Sequence, residues 1–428
     1  MSVKVILGSR LIDGTGAEPV ENSAVVIDGK TIKAAGSRGT VRIPSDAEMI
    51  DADGRIVMPG LIESHNHPLG ERDLSDPGFK KYYDNLVTSP ALGLLKGVQV
   101  IQRMLTLGIT TVRIPHPTIP NAPELRGEWL VALRTAVERG YFPAPRVVAG
   151  GCVLPTGGHL NALAPPFVQN PGWRGADGPW EVRKQTRECL TYEVDFIKLI
   201  GPGHKRYRKG EGPEHTCMTR EEVEAAVEEA HWRGVPVAAH VKNGPGLRFA
   251  VESGVDTIEH GTHLFEQPDL VDRMARSGQI LVPTMGMFFN PRLIEELERG
   301  DPAAAKSFVG EQEVVRRNFR TCHEAGVKIA AGTDNTYWNI PGLAWELQVY
   351  VDEGGMTPME ALVSATRTGA EACALDGVGT LEPGKTADLL IVEGDPLEDV
   401  SVLQDAVKME AVYKEGRLVA RRGALLYP

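Results

Sequence analysis

The chain has 428 residues, of which 42% are hydrophobic and 24% are charged, and its formal net charge at neutral pH is -11. This composition is that of a globular protein with a large core, and no apolar run approaches the roughly 18 residues that a membrane-spanning helix needs. The negative charge argues against nucleic acid as the main partner, because phosphate binding requires a positive surface.

Residues 1–57 consist of short segments in which apolar and polar residues alternate, separated by turns. This alternation is typical of strands, and Asp28-Gly29 between two such segments predicts a hairpin with a type I′ turn. The first residues lack the basic region and longer apolar stretch of a secretion signal. The five cysteines are scattered without a C-x-x-C pair, which fits a reducing compartment. We therefore expect a cytoplasmic enzyme.

The middle of the chain alternates short apolar runs with amphipathic helical stretches, a pattern that favours a parallel sheet built from βα units. Eight candidate strands follow one another: GLIESHNH at 60–67, ITTVRIP at 109–115, PRVVAGGC at 145–152, DFIKLIG at 195–201, PVAAHVKN at 236–243, DTIEHGTHL at 256–264, ILVPTMGM at 280–287 and VKIAAGTDN at 327–335. Eight such units predict a closed α/β barrel.

Helix starts are also readable from the sequence. Thr219 with Glu222 three residues later forms a capping box, and Pro358 follows Thr357 at the first position of a helix that we predict to run through TPMEALVSATRTGAEACAL. Beyond this helix, KTADLLIVEGDP and EAVYKEGRLVA again alternate with a period of two. Both ends of the chain are therefore expected to form antiparallel strands.

Residues able to bind a metal ion occur near the carboxyl ends of five predicted strands. They are His65, His67, Lys198, His240, His260 and Asp334. In a parallel barrel these ends open on one face, where active sites are built. Singly, a strand histidine is more simply a hydrogen-bonded core residue, and Asp334 in GTDN a turn former or helix N-cap. Together they predict a metal centre, because burying so many polar groups without an ion is costly.

Lys198 requires a chemical modification to serve as a ligand. An ammonium group has no lone pair and repels a cation. A carbamate formed with CO2 is instead an anion whose two oxygens can bridge two metal ions. The alternatives are an ion pair between Lys198 and Asp334, or a lysine at a solvated strand end.

These segments, followed by GMTPMEALVSATRTGAEACAL and GTLEPGKTADLLIVEGDPLEDV, resemble the amidohydrolase superfamily. Within it, the chain is most similar to imidazolonepropionase-related Xaa-Pro dipeptidases (prolidases), in order and over nearly the whole length. The resemblance implies a (β/α)8 TIM barrel at 58–377 and a small composite β-sandwich formed by 1–57 and 378–428. It further implies a homo-oligomer.

The resemblance also implies a binuclear centre. In it, His65 and His67 bind the first metal together with Asp334, carboxylated Lys198 bridges, and His240 and His260 bind the second metal. His263 is the competing candidate on the sixth strand, but its odd spacing from His260 places it on the opposite face, and the EHG pattern of the family selects His260. The expected ions are zinc, with manganese, cobalt or iron as alternatives.

The implied reaction is hydrolysis of an amide bond in a dipeptide or an N-acyl amino acid by hydroxide activated between two ions. Asp334 is expected to act as general base and then as general acid. His159, in the TGGH segment, is expected to hydrogen-bond the substrate or the developing oxyanion, the alternative being a turn cap. Two features depart from the pattern of relatives, namely the segment TTVRIPHP at the end of the second strand and Lys242. These departures put the expected substrate pocket in question, and they leave the expected metal ligands unaffected.

Aromatic walls and cationic groups near the strand ends suit an amide that carries a carboxylate. The predicted substrate-binding residues are Arg113, Lys242, Tyr207, Phe288 and Trp338. The aromatic residues could alternatively be oligomer contacts, and the basic run at 204–210 is either a lid or a recognition patch. Alternative functions are hydrolysis of an aryl carbamate, urea, ester, lactone or phosphotriester at the same site, or a catalytically silent scaffold.

Overall fold

The computed structural model describes residues 3–70, 88–117, 126–156, 175–201, 215–300, 302–335 and 342–427. Three residues predicted for the site, His159, Tyr207 and Trp338, lie outside these ranges, as does the basic run at 204–210. Across the ranges that the structure describes, no helix combines the length and the apolar character needed to cross a membrane.

The strands fall into three groups along the chain. The first comprises β1 (Lys4–Leu11), β2 (Val20–Asp28), β3 (Thr31–Ser37) and β4 (Glu48–Pro59). The second comprises β5 (Leu61–Glu63), β6 (Ile109–Ile114), β7 (Arg146–Val153), β8 (Phe196–Ile200), β9 (Val237–Val241), β10 (Thr257–His260), β11 (Ile280–Val282) and β12 (Lys328–Ile329). The third comprises β13 (Leu389–Val392), β14 (Met409–Lys414), β15 (Arg417–Arg421) and β16 (Ala424–Leu425).

The helices of the described ranges lie between and after the strands of the second group. They are α1 (Pro90–Thr106), α2 (Glu128–Glu138), α3 (Pro179–Thr191), α4 (Arg220–His231), α5 (Gly244–Glu252), α6 (Pro268–Ser277), α7 (Pro291–Gly300), α8 (Pro302–Glu324), α9 (Leu343–Asp352), α10 (Pro358–Ser364) and α11 (Arg367–Ala372). Short 3-10 turns occur at Pro68–Gly70, Leu264–Glu266, Gly286–Phe289, Val400–Gln404 and Ala406–Lys408.

The first and third groups form one mixed sheet with the order β16-β15-β14-β13-β4-β1-β2-β3. The two ends of the chain meet where β4 and β13 pair antiparallel, with Leu389 opposite Pro59. The predicted antiparallel pairing holds for the neighbours except β1 and β4, which pair in parallel because the chain returns to β1 after the β2–β3 hairpin. The predicted I′ turn is wrong: the two turn residues are Gly29 and Lys30, and only Gly29 has a positive φ, of 60°.

The second group forms a parallel sheet with the order β12-β11-β10-β9-β8-β7-β6-β5, so all eight predicted strands are present in the predicted sequence order. The sheet is curled. Beyond its two edge strands, the N–H of Ser64 donates to the carbonyl of Ala331 (3.0 Å), and the N–H of Asp334 donates to the carbonyl of His65 (2.8 Å). The segments that follow the first and last strands therefore lie side by side at the carboxyl edge of the sheet.

The helix starts follow the predicted capping chemistry. Thr219 and Glu222 form a complete capping box at α4, and Thr357 and Glu360 form another at α10. The single helix predicted after Thr357 is wrong, since α10 and α11 are separated near Thr366, whose backbone (φ −129°, ψ −92°) is not helical. The main core contains buried apolar residues of the parallel sheet and of the helices α1, α2, α4, α5, α6 and α9, so it lies between the sheet and these helices.

The two sheets are joined by an ion pair whose carboxylate is buried. Arg146 on β7 donates to Oδ2 of Asp388 (2.7 Å), just before β13, and also to Oγ1 of Thr111 on β6 (3.0 Å). Asp388 is 4% exposed. Because breaking a buried pair leaves an uncompensated charge, this contact fixes the terminal sheet against the amino-terminal end of the parallel sheet.

Candidate metal centre

The predicted metal ligands gather at the carboxyl edge of the parallel sheet. His65 and His67 follow β5, Lys198 and His240 lie within β8 and β9, His260 ends β10, and Asp334 follows β12. The four histidines and Lys198 are each 8% exposed or less, whereas the Asp334 side chain is 25% exposed. Asp334 is thus the member of the set that a solute can reach.

Three of these side chains form a donor cluster. The ligand atoms of His65, His67 and Asp334 all lie within 4.8 Å of one another. Oδ1 of Asp334 is 3.1 Å from Nε2 of His67 and 3.4 Å from Nε2 of His65. Two imidazole nitrogens and a carboxylate oxygen are a donor set that Zn2+ and similar divalent ions accept.

A second pair of histidines lies next to this cluster. Nε2 of His260 is 2.8 Å from Nδ1 of His240, and the other nitrogen of His260 is 2.7 Å from Oγ1 of Thr284. The rings of His65 and His260 are 5.4 Å apart between centroids. The five predicted ligands other than Lys198 therefore form one continuous group.

Lys198 is the most unusual member of the centre. It is 1% exposed, and its Nζ has no hydrogen-bond partner among the residues that the structure describes. Burial lowers the pKa of Lys198 to about 8. The alternative was an ion pair between Lys198 and Asp334. Within the described ranges, no hydrogen bond joins these two side chains. Burial of an amine without an acceptor costs free energy. A bound metal ion or a covalent modification of the amine would remove this cost.

The charge states of the cluster suit a cation. Burial lowers the pKa of His67 and, more strongly, the pKa of His260, so both rings are neutral near pH 7, the form that binds metals. Burial alone would raise the pKa of Asp334, but hydrogen bonds with His65 and His67 hold that pKa well below its usual range. Burial lowers the pKa of His65 as well, but the carboxylates of Glu259 and Asp334 outweigh this effect and raise it. His67 and His260 thus offer neutral nitrogens, and Asp334 offers an ionised carboxylate.

Three residues around the centre have left-handed backbones. They are His260 (φ 70°), Thr284 (φ 50°) and Asp334 (φ 51°), at or just beyond the ends of β10, β11 and β12. A positive φ is unfavourable for residues other than glycine, above all for a β-branched threonine, and such strain clusters at functional sites. At His260 it ends the strand alternation, so that Glu259 and His260, although adjacent, both point toward the cluster.

Sequence reasoning did not identify Glu259, Thr284 or His116. Glu259 is hydrogen-bonded through Oε2 to Nδ1 of His65. The His116 ring lies 4.6 Å from the His67 ring, and its Nδ1 is buried without a hydrogen-bond partner in the described part of the chain. A search for polar residues near strand ends would have found His116, because it lies two residues after β6. It would not have found Glu259, because the left-handed turn at His260 breaks the alternation from which side-chain direction is inferred.

The predicted substrate-binding residues have more varied surroundings. Arg113 is 2% exposed and donates to Glu259, Thr257 and the carbonyl of Ser64. Phe288 is 4% exposed and stacks on Phe308 at 5.0 Å, with Nζ of Lys242 6.0 Å from its ring centroid.

The competing ligand candidate, His263, follows β10. Its Nδ1 is 2.9 Å from Oγ1 of Thr262, and its ring stacks near Phe265 at 6.1 Å between centroids. The His260 ring, by contrast, lies 5.4 Å from the His65 ring between centroids. The choice of His260 as a ligand stays a prediction.

The chain is similar to known hydrolases over nearly its full length. A model of the amidohydrolase family matches residues 56–419. An ochratoxinase from Aspergillus niger is 29% identical, and the alignment covers 97% of this chain and 86% of the ochratoxinase. An imidazolonepropionase from Salinispora arenicola is 26% identical, and the alignment covers 89% of this chain and 88% of the imidazolonepropionase. A solved Xaa-Pro dipeptidase with methionine bound in its active site has a TM-score of 0.83 at 29% identity, covering 97% of this chain and 99% of the other.

Proposed function

The chain belongs to the amidohydrolase family, whose members are hydrolases acting on carbon-nitrogen bonds, and we propose that it is a binuclear metal-dependent enzyme cleaving an amide bond in a dipeptide or an N-acyl amino acid. The observation that carries the proposal is the meeting of His65, His67 and Asp334. The buried amine of Lys198, which has no hydrogen-bond partner among the described residues, is close enough to interact electrostatically with Asp334.

The side chains present fit a pair of divalent ions, zinc foremost. His65, His67 and Asp334 would hold the first ion, and His240 and His260 the second. Lys198 would bridge them as a carbamate, formed when its neutral amine attacks CO2 and loses a proton. The lowered pKa of Lys198, about 8, favours the neutral amine that this reaction requires. When bound, such ions polarise the amide carbonyl and make a water molecule acidic enough to attack it at neutral pH.

Asp334 is assigned the proton transfers. It is ionised, partly exposed and adjacent to the donor nitrogens, so its free oxygen can take a proton from the attacking water. The same carboxyl can then deliver the proton to the leaving nitrogen, which becomes an amine. Both steps require hydrogen-bond reach to the bond that is cleaved, which the partly exposed position of Asp334 allows.

The substrate class is proposed from relatives and from charge. The Xaa-Pro dipeptidase of similar fold holds methionine in its active site, so an amino acid fits the corresponding space of that protein. In this chain, Lys242 offers a cation beside the ring of Phe288 that can attract a carboxylate. His159, Tyr207 and Trp338 stay predicted contacts, as they lie outside the described residues.

We also propose the finer architecture that the family implies. The backbone hydrogen bonds from Ser64 and Asp334 across the edge strands support closure into a (β/α)8 barrel at 58–377. The terminal segments 1–57 and 378–428 then form the small β-sandwich. None of the five cysteines, all of which the structure describes, forms a disulfide, and four of them are buried, which supports a reducing, cytoplasmic location. A homo-oligomer stays part of the proposal.

The proposal is tested by a substrate screen. Dipeptides and N-acyl amino acids are incubated with the zinc- or manganese-loaded protein in bicarbonate buffer, and the released amine is measured. Turnover of compounds with a free carboxylate, lost after chelation and restored by metal, supports the proposal. Turnover confined to esters, lactones, carbamates, ureas or phosphotriesters would contradict the amide assignment while leaving the metal centre in place.

A further inference from the structure

A buried carboxylate lies directly behind the first predicted metal ligand. Oε2 of Glu259 is hydrogen-bonded to Nδ1 of His65, while Oε1 accepts from Nη2 of Arg113 (3.1 Å) and from Oγ1 of Thr257 (2.9 Å). None of the four residues is more than 2% exposed. Both oxygens of Glu259 are thus occupied, one by the ligand and one by a supporting pair.

The supporting pair is built by the fold. Thr257 and Glu259 are two residues apart on β10 and therefore share a face. Arg113 comes from β6, which is not a neighbour of β10 in the sheet, so its side chain crosses the interior of the curled sheet to reach Glu259. On the way its guanidinium lies 4.3 Å from the centroid of the Phe196 ring on β8. These contacts therefore link the three strands β6, β8 and β10 beneath the metal centre.

We propose that Glu259, held in place by Arg113, is a positioning residue that orients His65 for metal binding; this inference rests on the proposed function. An imidazole that gives its Nδ1–H to a carboxylate presents the lone pair of Nε2 on its opposite side. In His65 that side faces Asp334, with Nε2 3.4 Å from Oδ1. A carboxylate behind a ligating histidine also makes the ring more basic and a stronger donor.

The support of His65 differs from that of His67 and His260. Nδ1 of His67 has no hydrogen-bond partner in the described ranges, and His260 is held by the neutral hydroxyl of Thr284. A charged hydrogen bond is stronger than a neutral one. Loss of Glu259 therefore weakens the first metal position more than the second.

Arg113 serves Glu259 and not the substrate in this arrangement. A buried carboxylate without a partner carries a large desolvation cost, and the arginine offsets it while also donating to Thr257. Lysine cannot replace it, because a single ammonium does not reproduce the two nitrogens of the guanidinium, of which Nη2 donates to Glu259 and Thr257 and Nη1 donates to the carbonyl of Ser64. This role differs from the substrate contact predicted from the sequence.

The test measures metal affinity rather than turnover. The full-length protein and its Glu259→Gln and Glu259→Ala variants are stripped by chelation and titrated with Co2+ in bicarbonate buffer, following the visible absorption of the bound ion. Glu229→Gln is the matched control, since Glu229 on α4 is 4% exposed and accepts from Arg187 on α3 (2.8 and 2.9 Å), outside the centre. Thermal melting of each apo-protein shows whether it is folded.

We expect Glu259→Ala to bind one of the two cobalt ions roughly 10- to 100-fold more weakly than wild type and to show an altered cobalt spectrum. Glu259→Gln should be intermediate in affinity, and Glu229→Gln should bind cobalt like wild type. Wild-type affinity and spectrum in both Glu259 variants would overturn the inference and leave the proposed function standing. Failure of the wild type to bind cobalt would instead contradict the proposed function itself.

Arg113 supplies a second test if Glu259→Ala does not fold. The double variant Arg113→Met with Glu259→Gln removes both charges, so no unpaired ion stays buried. Weakened cobalt binding in this variant and in Arg113→Lys supports the positioning role. A raised KM for the best amide substrate with unchanged cobalt affinity in Arg113→Lys would show a substrate contact and overturn the inference.

Discussion

Nε2 of His67 lies 3.1 Å from Oδ1 of Asp334, although the two residues follow the first and the last strands of the parallel sheet. The contact exists because the sheet curls until the segments beyond its edge strands are hydrogen-bonded to each other, as Asp334 is to His65. The curvature of the sheet is thus what converts residues far apart in sequence into one donor set.

Replacing Lys198 with alanine is expected to abolish most activity, because the bridge between the two histidine groups is removed. A short carboxylic acid such as acetate or propionate should restore part of the turnover by occupying the vacated space with two oxygens. Turnover is measured with and without the acid, and exposed Lys184→Ala serves as control. Unchanged turnover in Lys198→Ala would contradict the carbamate.

Asp334→Asn is expected to lower kcat by roughly 100- to 10,000-fold, the usual contribution of a general acid-base group. The amide keeps an oxygen for a metal ion but cannot accept and return a proton. Metal content and kcat are measured on the same preparation. A variant with full metal and wild-type kcat would remove Asp334 from the proton transfers.

Thr284 supports His260 through a single hydroxyl, so Thr284→Ala and Thr284→Ser should differ. Loss of a neutral hydrogen bond costs about 1 kcal/mol, equivalent to about fivefold weaker binding of the second metal. Serine keeps the hydroxyl and is expected to bind like wild type. Competition with a chromophoric chelator measures the difference, and equal affinities for the two variants would refute this role of the hydroxyl.

Stability is expected to depend on pH through Glu346. Burial raises the pKa of Glu346 from 4.5 to about 8, although its oxygens accept from the N–H groups of Met285 and Gly286. Between those values the unfolded chain releases the proton that the folded chain retains, so the free energy of unfolding falls as pH rises from about 4.5 to about 8. Above that window the contribution is constant.

The variant Glu346→Gln separates this effect from other titrations. A neutral amide removes the linked proton, so the slope of unfolding free energy against pH should be shallower than in wild type. Burial also raises the pKa of Glu63, to about 7. The titration of Glu63 should therefore leave a residual slope at lower pH in Glu346→Gln. Chemical denaturation at several pH values gives both slopes, and identical slopes would show that Glu346 does not titrate in this range.

Removing a helix cap should affect stability alone. Thr219 accepts from the N–H of Glu222 at the start of α4, and Thr219→Ala is expected to cost about 1 kcal/mol. Because no predicted ligand contacts this cap, metal content should not change. Denaturation and metal analysis together check the expectation; a lowered metal content would show that α4 is coupled to the centre.

The strand order and the place of the centre were predictable because both follow from local patterns. Apolar runs at βα spacing predict the eight strands, and the shared carboxyl edge of parallel strands gathers His65, Lys198 and His240 without any knowledge of distances. The family resemblance, also readable from these motifs, is confirmed by the match to residues 56–419.

Other features were not predictable because they depend on backbone angles and on contacts across the sheet. The left-handed conformations of His260 and Thr284 break the alternation from which side-chain direction is inferred. Arg113 could be placed near the strand end but not beneath the centre, since its partner Glu259 lies on a strand that is not its neighbour. The break of the last helix at Thr366 has no proline or glycine to signal it.

The most direct test is the ratio of metal to protein, measured by elemental mass spectrometry after purification in buffer supplemented with zinc and bicarbonate. A centre built by His65, His67 and Asp334 beside His240, His260 and Lys198 predicts about two ions per chain, the number a two-metal hydrolase uses. Less than about one ion per chain would contradict the account and favour a scaffold that kept the fold without the chemistry.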